Sequence, residues 1–371
     1  MKSYCKGLVI SRELVRRAYE TWLTKPSGKK NGWRVAKEYG SADALVDEIL
    51  WEVTLRTLEF RPIKRYRHRE PTNGKIRIIG VESVKQQVCD YVAILALEPL
   101  LKAKIGFYQA AAVEGKGQKL CRGALRRWSR GAVYHVKADV RKCYPSIKID
   151  VVMALLRKYV KSADVLYVCE CLLGTYDGGL EIGSYFSLQM AQLILSFAYH
   201  HIEGLGRRRR GRWIPLVTHQ VWHMDDFVLI STSKSYLRQA MKSAERYMRN
   251  VLGVTLKLWK LARTSRKEPL DLGGWIVREL PRKDGTMRTR VTLRAGIFLR
   301  STRAFARFTK RKSLARARRC ASYWGWLRHA DCNVVMTDRH IGKTFSRARR
   351  MVSAHDRMGA RNGNTKDIQG D

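Results

Sequence analysis

The stretch Val221-Trp222-His223-Met224-Asp225-Asp226-Phe227-Val228-Leu229-Ile230 decides how this chain is read. Two apolar runs rich in β-branched and aromatic residues flank one His-Met-Asp-Asp, which predicts two short strands joined by a turn that carries adjacent carboxylates. Neighbouring aspartates between buried strands repel each other and lose hydration, so the arrangement costs free energy unless a cation or basic group sits against them. A solvated Asp-Asp turn at a hairpin tip is the innocent reading of the motif taken alone.

Charge is the unusual property of the chain. Its 371 residues carry 73 Lys and Arg against 32 Asp and Glu, a formal net charge of +41, while a hydrophobic share of 45% is that of a folded protein with a sizeable core. Such charge calls for a polyanionic partner, and nucleic acid is expected. An acidic membrane is the runner-up, but no apolar run approaches the roughly 20 residues that span a bilayer. Met1-Lys2-Ser3-Tyr4-Cys5-Lys6 does not lead into a signal-peptide core, so a cytoplasmic protein with no membrane partner is expected. The eight cysteines are scattered, with only Cys169 and Cys171 close together, and read as reduced thiols.

Upstream, residues 1–60 predict a basic helical extension, with helices from Leu8 to Trp22 and from Ala42 to Leu58 around the turn-rich Lys25–Gly32 and a cap from Ser41 or Asp43. The turn Thr72-Asn73-Gly74 predicts a hairpin. The alternation after it puts Lys75 and Arg77 on one strand face and Ile76 and Ile78 on the other. A basic face there can hold a triphosphate; a solvated edge strand is the bland reading. Val133 to Asp139 reads as a strand ending at an aspartate, which suits either a metal ligand or a helix cap. A turn with Pro145 follows, then a helix from near Asp150, a long apolar helix from Leu188 to about Tyr199, and Arg207-Arg208-Arg209-Arg210 as a flexible basic loop. Downstream, Ser235–Leu252 predicts a helix, and Gly253–Leu258 and Leu270–Val277 predict strands. Between Gly285 and Ala330 there are 13 Lys or Arg and no Asp or Glu. Interleaved Phe305, Phe308, Tyr323, Trp324 and Trp326 suggest a surface that grips a phosphate backbone.

Asp139, Asp225 and Asp226 thus occupy strand ends that one strand-helix unit, a second helix and a hairpin could bring together on an α+β sheet with helices on one face. Three clustered carboxylates suit two hard divalent ions, which sit about 3.5–4 Å apart in nucleotidyl-transfer sites.

Six ordered segments resemble the motif series of prokaryotic reverse transcriptases across roughly residues 60–330: Lys75-Ile-Arg77, Asp139 to Ile147, Ile182-Gly183-x-x-x-Ser187, His223-Met-Asp225-Asp226, Gly253-x-x-Leu-Lys257 and Leu272-Gly273-Gly274-Trp275. Within that family the chain looks most like the diversity-generating retroelement enzymes and the defence-associated "unknown group" enzymes, which tend to lack endonuclease and ribonuclease H domains; none is expected here. The resemblance implies a right-hand polymerase fold: fingers over 61–135, a palm with an antiparallel sheet and finger insertions over 136–285, and a helical thumb over 286–361; the terminal stretch 362–371 is itself expected to be a disordered tail.

It implies further that Asp139 and Asp225 bind two Mg²⁺ ions (Mn²⁺ as a substitute), with Asp226 supporting them and the Val140 carbonyl as an added ligand. Lys75 and Arg77 would clamp the triphosphate, Tyr144 would act as a steric gate against a ribose 2′-hydroxyl, and Ile182 and Gly183 would line the nucleotide pocket. Lys257 is a candidate acid for pyrophosphate, with Lys260 as its competitor. His223 and Met224 would lie beside the primer end, Gly273 and Gly274 would form the primer grip, and Arg303, Arg307, Lys310 and Arg311 would hold primer and template. Three departures stand out: His223 replaces the usual Tyr, Ile182 replaces a common Gln, and Ser187-Leu188-Gln189 replaces Ser-Gln.

The expected activity is RNA-directed DNA synthesis from deoxynucleoside triphosphates on a structured non-coding RNA, with a DNA primer or cDNA product, in antiphage defence. Two alternatives stand beside it: the mutagenic polymerase of a diversity-generating element, with an accessory protein, and a catalytically idle RNA-binding scaffold. A homo-oligomer is an open partner state.

Overall fold

The computed structural model describes residues 3–70 and 74–364, with side chains to Arg357. Helix takes up 55% and strand 18% of the chain, a mixed α/β protein with small antiparallel sheets. Two compact units result, one of residues 1–121 and 132–263, the other of residues 122–131 and 264–371. These units cut across the expected five segments: residues 264–285 of the expected palm fall in the second unit.

In the first unit the hairpin of β1 (Lys64–Arg69) and β2 (Ile76–Val81) stands apart from a four-stranded antiparallel sheet. That sheet runs β6-β7-β3-β8, with β3 Tyr134–Asp139, β6 His219–His223, β7 Asp226–Ser231 and β8 Lys260–Arg263. The helix Lys234–Leu252 packs on β3, β7 and β8 through Leu237, Met241, Ala244 and Met248, at the three-and-four spacing of one buried face. Beneath lies a core built on the helices Val84–Ala96 and Tyr185–Glu203. Trp22, Phe186, Trp222 and Phe227 are its largest fully buried side chains.

The N-terminal helices run Arg12–Thr24 and Ala42–Leu55, the latter capped by Ser41, whose hydroxyl accepts from Ala44 N. Four expectations need correction. Lys25–Gly32 is no loop: Pro26 at the first position starts the helix Pro26–Asn31. Arg207–Arg210 is not a flexible loop but the hairpin of β4 (Gly206–Arg209) and β5 (Arg212–Pro215), closed by Arg210 and Gly211 at φ 48° and 75°. Gly253–Leu258 forms no strand beyond a single bridge from Leu256 to Val140; the edge strand is β8, which begins at Lys260. The predicted strand Leu270–Val277 is two, β9 (Leu270–Leu272) and β10 (Trp275–Pro281), turned back on each other by Gly273 and Gly274 at φ 56° and 93°. The predicted turn residues Thr72 and Asn73 lie outside the described residues, as does the expected tail from residue 365; residues 362–364 close the helix Ile341–Asn364.

In the second unit β11 (Met287–Leu293) completes a three-stranded sheet with β10 and β9, beside the helices Ala295–Lys310, Leu314–Leu327 and Ile341–Asn364. Of the five aromatic residues expected on its nucleic-acid face, two are internal and three, Tyr323, Trp324 and Trp326, are half-buried. Phe305 and Phe308 are buried, Trp324 stacks on Phe345 at 4.4 Å, and Trp326 lies against Trp275 at 5.0 Å. Their spacing is that of a helical core stripe, which composition alone does not separate from a stacking surface.

Candidate active site

The β6–β7 hairpin turns through Met224 and Asp225, with His223 paired to Asp226 and Met224 in the left-handed region at φ 57°. Three elements hold this turn in place. Trp222 stacks on Phe227 at 4.0 Å beneath it, the Tyr108–Ala110 segment bonds the outer edge of β6 on both sides of Trp222, and Gln192 Nε2 lies 3.1 Å from Met224 Sδ. On the inner side β7 pairs with β3 so that Asp139 and Asp226 are register partners, and Val140 N donates to Asp225 O at 3.1 Å. The strand ends thus bring the three aspartates that the sequence singled out to one edge of one sheet.

Cations surround them. Lys257 N donates to Asp139 O at 2.9 Å, which carries the Lys257 ammonium onto Asp139 Oδ1 as an ion pair. That contact is one of charge, since Oδ1 is buried without an aligned hydrogen-bond donor. Burial and then the charge of Asp139 push the Asp225 carboxyl above its ordinary range, while Lys257 and Arg77 pull it back. Burial also raises the Cys143 thiol and the Tyr144 phenol, each with a further push from Asp225.

The predicted nucleotide-pocket residues attach to the same edge. Leu180 N donates to Tyr144 O at 3.1 Å, and Gly80 N of β2 donates to Ile182 O at 2.7 Å, so the segment 180–183 ties Tyr144 to the β1–β2 hairpin. Gly183 adopts φ 117°, and a Cβ there would collide with the Gly80 carbonyl oxygen. Arg77 lies close enough to act on both Asp225 and Tyr144 but is ion-paired to Glu70. Lys75 is exposed on the same hairpin. The strand faces differ from a basic face backed by a buried apolar one, because Ile76 and Ile78 are 60% and 55% exposed.

Burial lowers the His223 imidazole pKa, so the ring is neutral at physiological pH, and its Nε2 lies 2.8 Å from the Gln118 amide nitrogen. A neutral Nε2 accepts where a tyrosine hydroxyl could also donate. Gln118 lies in the first turn of the helix Gly117–Trp128; nothing in the sequence marks it as the partner.

Sequence reasoning missed a second carboxyl pair. Glu82 and Asp90 are 4% and 1% exposed. Asp90 Oδ2 accepts from Ser184 Oγ, Tyr185 N and Phe186 N at 3.1, 2.9 and 3.0 Å, capping the long helix Tyr185–Glu203. Burial pushes Glu82 far up, so it keeps its proton at neutral pH and donates it to Asp90, whose Oδ1 otherwise has no donor. The available signal was one Asp inside the otherwise apolar run Val88-Cys89-Asp90-Tyr91-Val92.

The remaining predicted residues belong to the second unit. Gly273 and Gly274 make the β9–β10 turn, where Gly274 O accepts from Arg294 N at 2.9 Å. Arg303, Arg307 and Lys310 share the exposed face of the helix Ala295–Lys310, and Arg311 ends it.

Among the described residues no group of three or more His, Cys, Asp or Glu side chains is gathered as a ready-made metal site. The donor chemistry at Asp139 and Asp225 nevertheless fits a hard divalent cation: carboxylate oxygens, one with its charge disfavoured by burial and a like charge, and one with an unaligned buried oxygen. A cation held by Asp139 would share that carboxylate with Lys257. No family model matches the chain, and no curated protein matches it. No helix among the described residues is long and apolar enough to cross a membrane.

Proposed function

We propose that this chain is an RNA-directed DNA polymerase, a reverse transcriptase of the right-hand type, with the β1–β2 region as fingers, the four-stranded sheet as palm and the helical second unit as thumb. The observation that carries this reading is the pairing of Asp139 with Asp226 across β3 and β7, with Asp225 at the adjoining turn and Lys257 and Arg77 beside it. A solvated hairpin tip has no need of that cation shell.

Asp139, Asp225 and Asp226, with the Val140 carbonyl, would hold two Mg²⁺ ions, or Mn²⁺ in their place. When bound, such ions acidify a primer 3′-hydroxyl and neutralise triphosphate and leaving pyrophosphate. The chain's own groups do the rest. Arg77, exchanging Glu70 for substrate, and Lys75 grip the phosphates. Tyr144 stands against the ribose, with Ile182 and Gly183 beside it. Lys257, released from Asp139, has a proton on Nζ to give to pyrophosphate. Neutral His223 and Met224 form the floor under the primer end. In the second unit Gly273 and Gly274 shape the turn offered to the primer, and Arg303, Arg307, Lys310 and Arg311 offer charge to a nucleic-acid backbone. The partners are a template RNA, a DNA primer or cDNA, deoxynucleoside triphosphates, and an accessory protein or second copy; the biological setting we favour is antiphage defence, with a mutagenic retroelement second.

One observation favours an idle RNA-binding scaffold: the Lys257 ammonium is ion-paired to Asp139 and offsets its charge. Primer extension on an RNA template separates the two. A polymerase incorporates deoxynucleotides with Mg²⁺ and stops with a chelator; a scaffold binds the RNA and incorporates nothing under either condition.

A further inference from the structure

The second unit holds an open cleft of about 760 Å³ that no motif of the sequence announces. Its floor is apolar, formed by Ile276, Leu293, Phe298 and Val335. Its rim is basic, with Arg126 from the 122–131 segment, Arg278 and Arg282 from β10 and the turn after it, and Arg288 and Arg290 from β11. Among the described residues none of these five arginines is in an ion pair. Asp331, the carboxylate lining the cleft, is already engaged: its Oδ2 accepts from Val291 N at 2.7 Å, and its own N donates to Val291 O. The basic rim continues on one flank through Arg127 and Arg130 and on the other through Arg266 and Lys267.

We propose that this cleft binds one unpaired nucleotide of a single-stranded nucleic acid, its base on the apolar floor beside the Phe298 ring and its flanking phosphates on the arginine rim. The volume lies in the range of small-ligand pockets. Planar guanidinium forks match phosphate oxygens two at a time, which lysine cannot do. Aromatic stacking takes any base but only one that is free of a duplex stack. Cations on both flanks give the backbone a path into and out of the cleft. This inference does not rest on the polymerase reading, since it concerns binding alone.

The test uses the full chain and a short single strand carrying one 2-aminopurine, made once as RNA and once as DNA. A blunt duplex with the same base and an acidic peptide serve as competitors. Binding is expected to quench 2-aminopurine emission, and the RNA and DNA arms identify the source of the strand. Phe298→Leu should abolish the quench and weaken binding about tenfold, the loss expected for one stacked base. Arg288→Gln with Arg290→Gln should lower the slope of log affinity against log salt by about 1.4, two phosphate contacts at about 0.7 each. An equal charge loss at exposed Arg238 and Lys242 on the helix Lys234–Leu252 should leave the quench intact. No quench, a quench unaffected by Phe298→Leu, an unchanged salt slope, or equal competition by duplex or peptide would overturn the proposal.

Discussion

Asp139 on β3 and Asp226 on β7 face each other as register partners, and the cation set against this pair of strand ends is the ammonium of Lys257 on Asp139 Oδ1. The edge is therefore electrostatically incomplete without a positive charge, and a lysine supplies it in the protein alone.

Replacing that lysine exposes the deficit. Lys257→Met is expected to push the Asp225 carboxyl further up and to lower stability at neutral pH by about 1 kcal/mol, discounted for the partly exposed pair. Addition of Mg²⁺ should then raise the melting temperature by more than it does in the parent. An Mg²⁺ effect no larger than in the parent would argue that Lys257 and a metal do not share a place.

The Glu82–Asp90 pair sets a pH dependence of stability. Glu82 keeps its proton in the folded chain but loses it in the unfolded chain above the ordinary Glu range, so between those limits the folded state holds a proton that the unfolded state has lost. Its stabilising contribution is therefore full at low pH and fades toward alkaline pH. Glu82→Gln fixes the neutral form, and calorimetry should find it roughly equal to the parent near pH 5 and several degrees more stable near pH 9. Parallel pH curves would remove the shared proton from the account.

Gly183 is named by the resemblance as a nucleotide-pocket residue, yet its backbone requires glycine in any case. Gly183→Ala combines φ 117° with a collision against the Gly80 carbonyl. It should cost about 1–3 kcal/mol or more in denaturant unfolding, before any nucleotide is added. Unchanged stability with a raised KM would make the position purely functional.

Tyr144, tied to the sheet edge through Leu180, is expected to exclude ribonucleotides by its ring. Tyr144→Ala should raise ribonucleotide incorporation relative to deoxynucleotide incorporation by about ten- to a hundredfold, the range available to a steric pocket. A constant ratio in single-nucleotide extension would take that role away from it.

Much of the site was legible because local pattern decides it. The strand Tyr134–Asp139 and the hairpin around Met224–Asp225 follow from apolar alternation broken by the turn, and the three aspartates meet at one edge. What sequence could not give was set at long range. Lys257 reaches Asp139, and Gln118 reaches His223, across distances in sequence where no periodicity operates. The edge strand was placed early at Gly253–Leu258 because its alternation is good. Yet Gly253 caps the preceding helix and Leu258 is fully exposed, so continuous strand pairing starts at Lys260. Trp324 and Trp326 pack in part against Phe345 and Trp275, partners too distant in sequence for composition to reveal.

The most direct measurement is deoxynucleotide incorporation on an RNA template by Asp225→Ala with Asp226→Ala, beside RNA binding by the same protein. The expected result is loss of Mg²⁺-dependent synthesis with RNA affinity nearly unchanged, because the arginines and lysines proposed to hold RNA lie elsewhere. Synthesis that persists in the double variant would contradict the catalytic assignment of this hairpin.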